Sequence, residues 1–270
     1  MLKYNTEVRH HKMTAQPETF TVGELENAVD SIETTCFFLD RDEPLRWKWV
    51  AFAIHHSIYS MCITCLGMFQ PSCVLSSRKG KDKDDDGHLC QIGNRPLMKS
   101  KRVPVATGPA YRIVWEPTNE PIPENNDSPE DPVERLRRQE NLPLIGFWTA
   151  LARVQDPILW MGRLGNSKAL VMSDEEIRQL TWLHQRVRNE LMHFKPKSYT
   201  VFIDGVRTAT LTAVRAVQFL ALESHTFVWP ENGNHYERIQ RAVKRMRERL
   251  NGEQPVQPSG CSASGSTTAG

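Results

Sequence analysis

Residues 49–69, WVAFAIHHSIYSMCITCLGMF, carry no formal charge and form the most apolar run of the chain. A run this long can span a bilayer. However, His55, His56, Ser57, Ser60 and Thr64 stand in its middle, and such groups are costly in lipid without partners. A central helix of a globular bundle buries the same run more easily. We therefore read residues 45–69 as the central helix of a bundle and expect no membrane partner. For the two histidines, this reading expects one hydrogen-bonded core residue and one boundary residue; the alternative places one of them beside His193 as part of a site.

Other stretches show the apolar spacing of helices that cover a core. In residues 22–39 the stripe is Val22, Leu25, Val29, Ile32 and Cys36, with Thr21 as a cap and Glu24 three residues later. Residues 40–43 form a polar turn, and Pro44 suits the start of the next helix. Residues 143–154 bring Ile145, Trp148, Leu151 and Ala152 to one face, and 156–165 read as a broken piece of helix. Residues 205–226 are periodic through Val206, Leu211, Val214, Val217 and Leu220, a core helix to pack on the one before it. The expected fold is an all-α bundle with about four or five core helices.

Residues 70–141 break this pattern and read as an insertion, mostly loop, between the second and third core helices. KGKDKDDDG, at 79–87, is a solvated charge run. Val103, Val105, Tyr111, Ile113 and Trp115 around Gly108-Pro109 predict a short β-hairpin. Residues 116–132, rich in Pro, Glu and Asn, read as a linker. Residues 1–20 read as a flexible lead, and 251–270, rich in Gly, Ser and Thr, as a disordered tail.

The formal net charge is only +2, so the chain as a whole is not a strongly basic nucleic-acid binder. Attraction to RNA has to come from local clusters. The candidate is a separate helix at 235–250, HYERIQRAVKRMRERL, whose Arg241, Lys244, Arg245 and Arg249 suit a phosphate backbone. A solvated helix surface explains the same residues equally well. The six cysteines and a polar start without a secretory core point to reduced thiols and a cytoplasmic protein. Cys62-x-x-Cys65 lies inside an apolar helix, whereas zinc knuckles use turns, so no metal and no cofactor are expected.

Residues 173–194 carry the site. Ser173 and Glu176 have capping-box spacing. Ile177, Leu180, His184, Val187, Leu191 and Phe194 follow at steps of three and four, with His184 the one polar member. At about 100° per residue, Asn189 and His193 fall together nearly opposite this stripe. Trp182 lies on that outer face, where a partner would be expected to cover it. Arg188 borders the two faces and can swing toward His193.

Arg188-Asn189-x-x-x-His193 at the end of an amphipathic helix resembles the signature of the HEPN superfamily of helical ribonucleases and nucleotide-binding domains. The surrounding VRNELMHFKPKSY resembles a bacterial branch of it, and the resemblance covers residues 21–69 and 142–227 within a domain at 21–230. It implies a HEPN-like helical bundle with RNA or a nucleotide as ligand. Arg188, Asn189 and His193 would be the catalytic residues of a metal-independent endoribonuclease, a toxin or defence protein with an antitoxin or other protein as partner. The alternative is a non-catalytic nucleotide- or RNA-binding or dimerisation module. His suits proton transfer near neutrality. Arg suits a phosphate through its planar fork. Asn189 would orient the imidazole or bind a phosphate oxygen. One His per chain is thin for both acid and base, so a homodimer through the Trp182 face would bring two together.

Overall fold

The computed structural model describes residues 23–43, 45–69, 71–76, 85–91, 94–106, 108–121, 143–161, 166–192, 198, 200–227, 229 and 234–252. The flexible lead at 1–20, most of the charge run at 79–87, most of the linker at 116–132, His193 and residues 253–270 of the tail lie outside the described residues.

The protein is mostly helical. Its elements are α1 (Glu24–Leu39), α2 (Arg46–Phe69), β1 (Leu89–Cys90), β2 (Met98–Pro104), β3 (Tyr111–Pro117), α3 (Phe147–Val154), α4 (Asp174–Trp182), α5 (Ile203–Gln218) and α6 (His235–Gly252). α2 is the hub, touching α1, α3 and α5. Ile54, Ile58, Met61, Cys62, Cys65 and Leu66 are fully buried along it. It is long and apolar enough to cross a membrane, yet 78% of its apolar window is buried inside the protein. Its hydroxyls are satisfied locally: Ser57 donates to the Ala53 carbonyl and Thr64 to that of Ser60, both at 2.7 Å. Cys62 and Cys65 are core residues, and burial pushes both thiols up.

α1 pairs along α2 through Ala28, Val29, Ile32, Cys36 and Leu39. Its N-cap is Gly23, with Glu24 and Glu26 at the positive end of the helix dipole, rather than Thr21 with Glu24 as capping partner. α6 is not a helix apart. Ile239, Ala242, Val243, Met246 and Leu250 seal it onto the common core against α1 and α5.

Two expectations need correction. The fold is not purely helical: residues 85–121 hold a three-stranded antiparallel sheet of order β1-β2-β3, with Ser100 opposite Trp115 and Arg102 opposite Ile113. The predicted hairpin forms, turning through Ala106 and Gly108, both at positive φ. A Cβ on Gly108 would come within 2.8 Å of the Gln185 side chain, so the turn presses on the helix that carries the site motif.

Nor does this insertion lie outside the core. Asp85, read from sequence as part of a solvated run, is buried with Arg153 of α3 at 3.0 Å. Arg153 also donates to the Cys73 carbonyl at 2.8 Å and lies over the Trp160 ring. Tyr111 of β3 donates to Asp85 at 2.6 Å, and Trp115 to Asp156 at 3.1 Å. Arg112 donates to the Met172 carbonyl at 2.6 Å and pairs with Asp174 at the start of α4. Buried charges need such partners, and here they clamp the sheet to the bundle.

Candidate functional site: a groove between α1, α2 and the motif helix

The capping box read from the sequence is formed: Glu176 N–H donates to Ser173 Oγ at 3.3 Å, and Ser173 N–H donates to Glu176 at 2.8 Å. The helix does not stay α to its end. After Trp182 it widens into a π-helical stretch, Leu183–Arg188, and closes with one α-turn, Asn189–Met192. π-segments inside α-helices are rare and frequent at functional sites. The widened turn spoils an angular reading based on 100° per residue.

Its consequence falls on Arg188. This side chain does not lie along an outer face but lines a groove of about 760 Å³ between α1, α2 and the motif helix. Asn189 accepts from Arg188 Nη1 at 2.9 Å through Oδ1. Asn189 thus holds the arginine, a role not among those expected for it. A neutral amide fixes the fork without cancelling its charge, and no carboxylate among the described residues pairs with Arg188.

The groove has an aromatic end and a polar end. Trp49 is stacked on Phe38, ring centres 5.8 Å apart, with Phe52 beside it and Lys48 Nζ 5.0 Å from the Trp49 ring. Trp49 stays 44% exposed, an open platform. At the other end Asp30 and Ser31 of α1 face His56 and Tyr59 of α2, with Arg188 and Leu191 closing the wall. Sequence reasoning missed Lys48, Trp49, Phe52, Asp30 and Ser31. The one available signal was a Trp in a run read as wholly core.

The adjacent histidines of α2 part company. His55 is buried, and its Nε2 lies 2.6 Å from His184 Nδ1 across the core. Phe147 stacks on His184 and lies against His55. Burial first, then His184 and Arg188, push His55 down to about 3, and burial and Arg188 push His184 down to about 4. The pair is neutral at ordinary pH, a hydrogen-bonded core histidine and its partner. His56 is on the open side, with Nδ1 2.7 Å from Ser31 Oγ.

The remaining candidates distribute as follows. Trp182 is half-buried, and its ring is covered within the chain by Gly205 of α5, where an added Cβ would meet it at 3.0 Å. Of the basic helix, Arg245 and Arg249 both reach Asp40, at 2.7 and 2.8 Å. Arg238 is held by Glu26 and Glu33. Arg241 and Lys244 are exposed, with no ion-pair partner among the described residues. They line a shallow depression with Arg245, Glu248 and Arg249. The negative partners come from α1 and its end, which the linear charge pattern of α6 could not show.

No protein-family model, no curated protein and no solved structure matches the chain.

Proposed function

We propose that the chain is a cytoplasmic, HEPN-type endoribonuclease that needs no metal, acting in toxin or defence systems, with Arg188, Asn189 and His193 as its working residues. The observation that carries the reading is the Arg188 guanidinium, held by Asn189 with no carboxylate partner among the described residues, in a groove with an exposed tryptophan platform. Single-stranded RNA needs these two things: a cation for the phosphate and an aromatic face for an unstacked base.

In this mechanism Arg188 holds the scissile phosphate by charge-assisted hydrogen bonds that strengthen as negative charge grows on the phosphoryl oxygens. Asn189 keeps the fork aimed. The 2′-hydroxyl attacks phosphorus, the bond to the 5′-oxygen breaks, and a 2′,3′-cyclic phosphate is left. His193, four residues after Asn189, transfers a proton in this step. A homodimer would add a second set of these residues, and the exposed Arg241 and Lys244 would bind the backbone further along.

The test is cleavage of a broad RNA panel with chelator present, by wild type and by His193→Ala. Wild-type cleavage to a cyclic phosphate, reduced about a hundredfold or more in the variant, is the expected result. Equal cleavage by both would exclude His193. The aromatic platform also suits a nucleotide-binding module without catalysis. Tight nucleotide binding with no cleavage of any RNA would select that reading.

A further inference from the structure

Acid–base cleavage of RNA needs a base for the 2′-hydroxyl as well as an acid for the leaving oxygen. Resting on the ribonuclease reading, we propose that His56 is that base, with Nε2 accepting the 2′-hydroxyl proton.

The inference follows from a short chain of hydrogen bonds. Ser31 Oγ lies 2.7 Å from the Asn27 carbonyl oxygen and 2.7 Å from His56 Nδ1. A hydroxyl has one hydrogen to donate. The carbonyl can only accept, so the hydrogen belongs to that contact. Ser31 then meets His56 with a lone pair, which fits a ring hydrogen on Nδ1. Ser60 Oγ, 3.2 Å from the same Nδ1, adds a second oxygen on that side. In that tautomer the neutral ring has a bare lone pair on Nε2, and no described residue takes it. The ring lines the groove that contains Arg188.

This is the arrangement a general base requires: a fixed tautomer, an open accepting nitrogen and a phosphate anchor in the same groove. The surroundings agree. Asp30 from α1, Lys48, His55 and Tyr59 from α2 and Arg188 from the motif helix are the other charged or titratable groups that line the groove. Burial lowers the His56 pKa and outweighs Asp30, which raises it, so the neutral form is favoured. His55 cannot serve, because its Nε2 is taken by His184. The step balances: Nε2 gains the 2′ proton, O2′ bonds to phosphorus, and the 5′-oxygen leaves with a proton from the acid, the part that the ribonuclease reading gives to His193.

Measurements on the full chain test this. His56→Ala should cleave about a hundredfold more slowly than wild type, lose the acidic limb of the pH–rate profile, and bind a 2′-deoxy-substituted RNA as wild type does. Added imidazole should restore part of the rate, which a purely structural defect would not allow. Ser31→Ala should slow cleavage by about fivefold, the size of one lost hydrogen bond. Nitrogen NMR of wild type should find the ring hydrogen of His56 on Nδ1. A hydrogen on Nε2, or a His56→Ala variant with wild-type rate and acidic limb while His193→Ala is inactive, overturns the role of His56 and leaves the ribonuclease reading standing. A wild-type protein that cleaves no RNA overturns both.

Discussion

Arg153 and Arg188 each stand near the end of a helix, and each is fixed by a close oxygen, yet they are opposite in kind. Arg153 is 2% exposed and fully engaged by a carboxylate, a carbonyl and an indole face. Arg188 is held by one amide oxygen in an open groove. The first has its charge cancelled where it sits and can only hold the sheet to the bundle. The second is oriented but still positive toward whatever enters. In the proposed reading, compensation, more than burial or location, separates an arginine that builds from one that binds.

The strongest way to break this contrast is Asp85→Ala. It leaves the Arg153 charge buried without its partner, so unfolding by urea should show a loss of about 3–5 kcal/mol. A loss under 1 kcal/mol would mean that Arg153 is not architectural. Arg188→Ala should do the reverse. Folding should be nearly unchanged, while RNA cleavage falls about a hundredfold, because phosphoryl charge is left uncompensated. A variant that unfolds early but cleaves normally per folded molecule would erase the distinction.

The neutral His55–His184 pair sharpens it from another side. Both folded values lie below the ordinary histidine value, at about 3 and about 4. The unfolded chain therefore takes up protons first as pH falls. This stability is intact above about pH 6.5 and is lost as pH drops toward 4, with a slope near 1.4 kcal/mol per pH unit for each proton. His184→Gln should flatten part of that slope in stability measured across pH. An unchanged slope would place the acid sensitivity elsewhere.

The smallest effect is expected on α6, where the contrast repeats in miniature. If RNA is bound there, Arg241→Ala and Lys244→Ala should each weaken binding at every sequence and reduce the salt slope by about one. Arg245→Ala and Arg249→Ala should change it less, since Asp40 already answers both. Equal slopes for all four would show that pairing with Asp40 does not matter.

What could be read from the chain beforehand was local. The Ser173–Glu176 box, the stripe of α1 and the hairpin around Gly108 depend on neighbours a few residues apart, and each is present. What escaped depends on distant partners. Asp85 looks like one more charge in a solvated run until Arg153, far along the chain, meets it. His184 looks like a flaw in an apolar stripe until His55 meets it. Trp182 looks bare until Gly205 of the next helix covers it. Arg188 was singled out as a candidate from the motif, but its place in the groove was not read, because a fixed angle per residue cannot anticipate a wide turn.

That wide turn has a consequence for how the site can change. Hydrogen bonds in Leu183–Arg188 span five residues rather than four. The stretch therefore holds more chain per turn than the helix before it. Ile177, Leu180 and Leu183 stay locked in the core while Arg188 and Asn189 are turned from where an uninterrupted helix would send them, by up to about 100° for one added residue. The aim of the guanidinium is in effect quantised. Repacking of neighbours adjusts it by small amounts, but a single-residue insertion or deletion between Trp182 and Arg188 swings it by a whole step, into the groove or out of it.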